Sequence, residues 1–179
     1  MKILLTLFIM LINLLGEGVA DARVYLTREN ALSKAFPGDS EVEKKTLFIS
    51  MEEQKRIEEL AKGKLDSRMI TFYVGKRAGK VMGYAYLGSQ VIRTKYAVFM
   101  VIINPNKTVK SVEVLAFYEP GEYLPTHGWF AQFSGKVLDN RLWPKRDIHA
   151  VTGATMSVYS ITMEVRKVLA IYEVVGSRL

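Results

Sequence analysis

Four strand-like segments joined by short turns are the feature that most constrains the fold of this chain. The first pair, 69–76 and 80–88, is rich in aromatic and branched residues and is joined by Arg-Ala-Gly, a composition typical of a tight hairpin. The second pair, 96–104 and 108–118, is joined by a turn that contains Pro105. Because such short connections join antiparallel neighbours, the sequence predicts an antiparallel sheet of about four strands.

The polarity of these segments predicts how each strand is covered. Residues 98–103 are continuously apolar, which is typical of a central strand with both faces buried. Polar and apolar residues partly alternate over 109–114, as they do in a half-exposed strand. A brief strand is also indicated at 47–49.

Helical patterns flank the strand-like segments. Apolar residues recur at three- and four-residue steps over 155–175 and predict a long C-terminal helix with a buried stripe. Ser50 and Glu53 have the spacing of a capping box, which opens a second helix. Shorter helices are indicated over 29–36 and within 129–133. The predicted fold class is therefore α+β: an antiparallel sheet of about four strands packed by a long C-terminal helix and shorter helices.

Residues 1–22 differ from the rest of the chain and are typical of a secretory signal peptide. A basic start precedes an apolar run over 3–15, and Ala20 and Ala22 supply small residues at alternate positions. The run is shorter than the roughly 20 apolar residues of a membrane-spanning helix, although retention as an N-terminal anchor remains the alternative. The prediction is a periplasmic or otherwise extracytoplasmic protein whose residues 23–179 form a single domain, membrane-associated if the segment is retained.

Composition excludes several kinds of chemistry. The chain has no cysteine, which rules out disulfides, iron–sulfur clusters and thiol catalysis. Its two histidines, His127 and His149, belong to no paired pattern, and no metal site is predicted. Removal of residues 1–22 takes away one lysine and two acidic residues and raises the net charge from +7 to +8. This excess favours an anionic partner, and export argues against nucleic acid.

One short segment at the start of the predicted C-terminal helix has the composition of an anion site. Thr152 and Thr155 bracket Gly153 and Ala154, and Ser157 follows. Small residues let another group approach the backbone, and the free N–H groups of a first helical turn bind phosphate well. A threonine hydroxyl at this place can hydrogen-bond a phosphate or be esterified by it. The competing interpretation is that Thr152 or Thr155 only caps the helix.

The tetrapeptide 152–155 resembles the (Ser/Thr)-Gly-Ala-Thr signature of the FMN-binding domain family. Members include the C subunit of sodium-translocating NADH:quinone reductase and the G subunit of the Rnf complex. A Phe-x-Gly-Lys element at 133–136 is also similar, and the resemblance extends over about 94–175. It implies that an FMN transferase takes FMN from FAD and links the FMN phosphate to Thr155.

The resemblance implies an exported electron-transfer flavoprotein, either an electron carrier or a component of a larger redox chain. Its expected partners are the FMN transferase and redox proteins such as cytochromes or quinone-linked membrane enzymes, and not nucleic acid. The candidate FMN-binding residues are Thr155 (covalent), Thr152, Gly153, Ala154, Ser157, Lys136, Phe133, Trp129, Tyr123 and Leu124. Lys136, with Lys145 and Arg146, is a candidate for phosphate binding, and the apolar residues, with Tyr118, are candidates for a ring slot.

No catalytic side chain is predicted, because the flavin itself does the redox chemistry. The acidic residues in this half of the chain show no spacing that brings two together, so they are expected to be solvated. These residues are Glu119, Glu122, Asp139 and Asp147.

The chain departs from the family pattern in two places. His149 stands where the family usually has aspartate, and Asp147 lies two residues away. Either the transferase needs that aspartate and modification is inefficient, or the aspartate serves local structure and His149 replaces it. Residues 119–122 only loosely resemble the family's Glu-Thr-Pro-Gly loop.

Two alternatives therefore stay open: a non-redox exported binding module in which 152–155 only cap a helix, and a protein that binds anionic surfaces by charge.

Overall fold

A six-stranded antiparallel sheet forms the centre of the computed structural model, which describes residues 23–179. The strands are β1 (Arg23–Val24), β2 (Glu41–Phe48), β3 (Met69–Arg77), β4 (Lys80–Val91), β5 (Tyr96–Ile103) and β6 (Val109–Phe117). They lie in the order β1-β6-β5-β4-β3-β2, and each neighbouring pair is antiparallel. The α+β class is confirmed.

The prediction of about four strands is too low, because the two strands at the sheet edges have weak sequence signals. β1 has only two residues. β2 pairs with β3 along its whole length, yet the sequence Glu-Val-Glu-Lys-Lys-Thr-Leu-Phe is mostly exposed and charged. A charged strand is well suited to an edge, where pairing with another chain must be avoided. The predicted brief strand at 47–49 marks only the end of β2.

Four α-helices accompany the sheet in the described part of the chain. They are α1 (Arg28–Ala35), α2 (Met51–Ala61), α3 (His127–Phe130) and α4 (Thr155–Val175). The capping box is confirmed at α2, where the Ser50 hydroxyl accepts from the Glu53 N–H and the Glu53 carboxylate accepts from the Ser50 N–H. Helix α4 has the bounds that its apolar repeat predicts.

β5 is buried on both faces, as its continuous apolar sequence predicts. Phe99 and Val101 belong to the large core cluster that includes the apolar stripe of α4. Met100, between them, belongs to a smaller cluster formed with α1 residues such as Ala31. Alternate residues of a strand point to opposite faces, so the sheet separates α4 from α1.

The side chain of Arg166 binds α4 to two other parts of the fold. Its Nε and Nη2 donate to the carbonyls of Ala61 and Leu60 at the end of α2. Its Nη1 donates to the carbonyls of Asp139 and Leu142 in the loop that follows α3. The position of α4, and therefore of its N-terminal end, is held by these bonds as well as by apolar packing.

No helix within residues 23–179 combines the length and hydropathy needed to cross a bilayer. The predicted signal peptide, residues 1–22, lies outside the described residues.

Candidate functional site

A pocket of about 280 Å³ opens at the N-terminal end of α4. Arg93 reaches it from the connection between β4 and β5, and Tyr123 from a short 3₁₀ turn (Gly121–Tyr123) that follows β6. The remainder of the lining consists of residues 153–157. Two separate connections of the sheet therefore meet the start of α4.

Among residues 23–179, no side chain caps the start of α4. Ala154 occupies the N-cap position, and neither neighbouring threonine forms a capping hydrogen bond. Within the described chain, no acceptor bonds the backbone N–H groups of Thr155, Met156 and Ser157. Gly153 has φ +84°, and a Cβ there would meet nothing within 4 Å. Glycine is thus needed here for its left-handed backbone, which turns the chain into the helix, and not for space.

Ser157 adds a buried polar group to the pocket lining. Its side chain is only 1% exposed, and its Oγ has no hydrogen-bond partner among residues 23–179. A buried hydroxyl without a partner carries a desolvation cost of about 1–3 kcal/mol. A ligand that offers an oxygen atom at this position would remove that cost.

Arg93 supplies positive charge at the mouth of the pocket. Its guanidinium carbon lies 4.7 Å from the centre of the Tyr123 ring, within cation–π range. The guanidinium donates no hydrogen bond to any residue in 23–179. Its five N–H donors therefore remain available to an anion.

Glu119 holds the turn that carries Arg93. The carboxylate is 4% exposed, and its Oε1 accepts from the backbone N–H groups of Arg93 (3.2 Å), Thr94 (2.6 Å) and Lys95 (2.8 Å). Burial opposes ionisation, but these N–H groups outweigh it and hold the pKa of Glu119 below its ordinary value. The expectation that Glu119 is a solvated carboxylate was wrong, because its partners come from a turn distant in sequence.

The structure brings together five of the predicted FMN-binding residues. Tyr123, Gly153, Ala154, Thr155 and Ser157 all line the pocket. The others lie outside it, in three different settings. Thr152 is exposed, and Leu124 lines a second pocket between β6 and α3. Trp129, Phe133 and Lys136 form a third group away from the pocket.

Trp129, Phe133 and Lys136 support the loop before the tetrapeptide. The Trp129 indole N–H donates to the His149 carbonyl, and the Trp129 and Phe133 rings pack edge to face in the core. Lys136 pairs with Asp147 at 3.0 Å, and this bond is the main reason why the pKa of Asp147 is lowered. These side chains therefore contact the protein itself and not the pocket.

His149 is fixed through its backbone. Its N–H donates to the Gln132 side chain, and its carbonyl accepts from Trp129. Because both bonds use backbone atoms, any residue except proline, which lacks the N–H, could form them. The imidazole ring of His149 takes no part in these two bonds.

Sequence patterns did not indicate Arg93 or the role of Glu119. Arg93 lies in a polar connection with other basic residues and has no distinguishing neighbour in the chain. Among the described residues, no three His, Asp or Glu side chains are grouped as metal ligands.

Neither a family model nor a curated protein sequence matches this chain. The fold and the site define its class: an α+β protein with an antiparallel sheet and an uncapped helix N-terminus that opens into a pocket.

Proposed function

We propose that this chain is an extracytoplasmic electron-transfer flavoprotein that carries FMN through a phosphoester at Thr155. The observation that carries the proposal is the uncapped start of α4 in the pocket. Thr155 is exposed at the first helical position, and its hydroxyl makes no hydrogen bond with residues 23–179. This hydroxyl is therefore accessible to a modifying enzyme.

The residues around Thr155 suit the phosphate of FMN. The free N–H groups of the first turn and the helix dipole favour an anion, and the Ser157 hydroxyl has no partner in the described part of the chain. In the transfer, the Thr155 oxygen forms a bond to the FMN phosphorus of FAD, the pyrophosphate bond breaks, AMP leaves and the hydroxyl proton is released. Once bound, FMN supplies reversible transfer of electrons.

The pocket is small for an entire flavin nucleotide, since small-molecule sites usually begin at about 300 Å³. It therefore suits the phosphoryl end. Exposed apolar side chains lie on the adjoining elements: Val91 and Tyr96 on paired strands, and Met156 and Tyr159 on α4. These side chains offer a surface for the flavin ring or for a redox partner.

The expected partners follow from this assignment. An FMN transferase would modify the chain, and cytochromes or quinone-linked membrane enzymes would exchange electrons with it. A covalent link retains the cofactor outside the cytoplasm, where lost FMN is not easily replaced. The protein would then serve as an electron carrier or a component of a larger redox chain.

The alternative of a non-redox binding module rested on the tetrapeptide acting as a helix cap. The hydroxyls of Thr152 and Thr155 do not cap α4, whose N-cap residue is Ala154. Helix capping therefore does not account for these two threonines.

The test is to express the full chain with an FMN transferase in an exporting host and measure its intact mass. The wild-type chain should gain the mass of FMN minus water and stay yellow after denaturation. Thr155→Val should gain no mass. Thr126→Val is the matched control, because Thr126 is also exposed at a helix start without a capping bond. If the wild-type chain gains no mass, the proposal is rejected. If Thr155→Val gains the mass of FMN minus water, Thr155 is rejected as the site.

A further inference from the structure

Two independent features at the start of α4 point to a ligand with several oxygen atoms. The first is the group of backbone N–H donors at 155–157, which have no acceptor in the described chain. The second is the Ser157 hydroxyl, which is nearly fully buried and has no hydrogen-bond partner among residues 23–179. A tetrahedral phosphoryl group presents oxygen atoms in several directions and can satisfy both.

Arg93 is the cationic side chain that lines this pocket. Its guanidinium lies over the Tyr123 ring, and its N–H groups are unbonded within residues 23–179. A planar guanidinium matches phosphate oxygens in a bidentate manner. Arg93 and the start of α4 line the same pocket, so the side chain adds a cationic group to the anion site.

The turn that carries Arg93 is held by one buried carboxylate. Three successive backbone N–H groups, those of Arg93, Thr94 and Lys95, donate to Glu119 Oε1, and the Thr94 hydroxyl adds a fourth bond. Three bonded N–H groups in a row define the backbone of the turn. They thereby define the direction in which the Arg93 side chain leaves it.

We propose that Arg93 binds a phosphoryl group at the start of α4 and that Glu119 is the positioning residue that directs Arg93 there. Where the phosphoryl group is that of FMN, this inference rests on the proposed function. The phosphate chemistry itself does not depend on covalent attachment.

The binding experiment uses the full chain prepared without a transferase and inorganic phosphate as the probe. Affinity is measured by calorimetry, and the amide signals of residues 153–157 are followed by NMR. Arg93→Gln should weaken phosphate binding about tenfold, with Arg93→Lys intermediate because it keeps the charge and loses the planar fork. Lys95→Gln is the matched control, since it makes the same charge change in the same turn and should stay within about twofold. Equal losses in Arg93→Gln and Lys95→Gln would overturn the role of Arg93.

Glu119 is tested in two backgrounds. Glu119→Gln should weaken phosphate binding in the unmodified chain and have no further effect when Arg93→Gln is present. Equal losses in both backgrounds would show a general structural effect and overturn the positioning role. Glu119→Asp, which keeps the charge on a shorter side chain, gives the same comparison should the glutamine variant fail to fold.

The outcomes for this inference and for the proposed function are distinguishable. Phosphate binding that depends on Arg93, without any mass gain at Thr155, supports this inference and rejects the flavin assignment. Equal phosphate affinity and equal flavin incorporation in Arg93→Gln and the unmodified chain would overturn this inference while leaving Thr155 as the flavin site.

Discussion

Two arginine–aromatic pairs in this protein have similar geometry and different surroundings. The Arg166 guanidinium lies 4.5 Å from the centre of the Trp143 ring, and that of Arg93 lies 4.7 Å from the centre of the Tyr123 ring. Arg166 is 1% exposed and donates to four backbone carbonyls. Arg93 is exposed and donates to none of the residues 23–179.

The difference shows how burial determines the use of a charged side chain. Burial lowers the pKa of Arg166, and a buried charge persists only where hydrogen bonds replace its lost hydration. The four carbonyls provide that replacement and tie α4 to its neighbours. Arg93 keeps its hydration and needs no such partners, so its donors are available to a ligand.

The largest expected effect on the free energy of unfolding comes from replacing Arg166, the buried arginine of the two pairs. Arg166→Met keeps the apolar stem and leaves four carbonyls without their donor, so we expect a loss of about 3 kcal/mol or more in the free energy of unfolding. Arg93→Met should change that free energy by at most about 0.5 kcal/mol. Urea denaturation measures both. Similar losses in the two variants would show that the contrast between the pairs is wrong.

An intermediate effect is expected at Glu119, which fixes the turn of the exposed arginine. Glu119→Gln should lose about 2 kcal/mol near pH 7, because bonds to a charged acceptor become bonds to a neutral one. The folded-state pKa of Glu119 is below its ordinary 4.5, so its ionised form stabilises the fold above about pH 4.5, and this contribution is lost as the pH falls through the lower value.

The stability difference between the wild-type chain and Glu119→Gln should therefore narrow as the pH is lowered below about 4.5. Glu122→Gln is the control for the change of charge, because Glu122 is an exposed neighbour and does not bond the 93–95 turn among residues 23–179. A difference that stays constant with pH would contradict the assigned role of the Glu119 charge.

The smallest expected effect concerns the entry of the chain into α4. Gly153→Ala should lose about 1 kcal/mol, because φ +84° is strained for a residue with a Cβ although the space is open. Gly128→Ala is matched for open space and has no positive φ, so it should be neutral or slightly stabilising. Thermal unfolding of both variants tests this. Equal effects would mean that the left-handed turn at Gly153 is not required.

Local sequence patterns predicted an element correctly where the residues of that element determine its structure. The apolar repeat of α4, the capping box of α2 and the apolar run of β5 were all confirmed. The same patterns missed most of β2, since an edge strand exposes charged residues and lacks apolar alternation. The family resemblance, and not a periodic pattern, made Trp129 and Phe133 candidates for the site, and both rings lie in the core.

The sequence by itself determined the bounds of α4 and the small residues at its start, because helical periodicity and local backbone preferences depend on neighbours in the chain. Only the tertiary structure decided that Arg93 and Tyr123 meet that helix start and that Glu119 holds the turn of Arg93. Glu119 bonds a turn about 25 positions away in the chain, and sheet pairing brings the two together. Such contacts arise from the folded arrangement of strands, and no local pattern of residues encodes them.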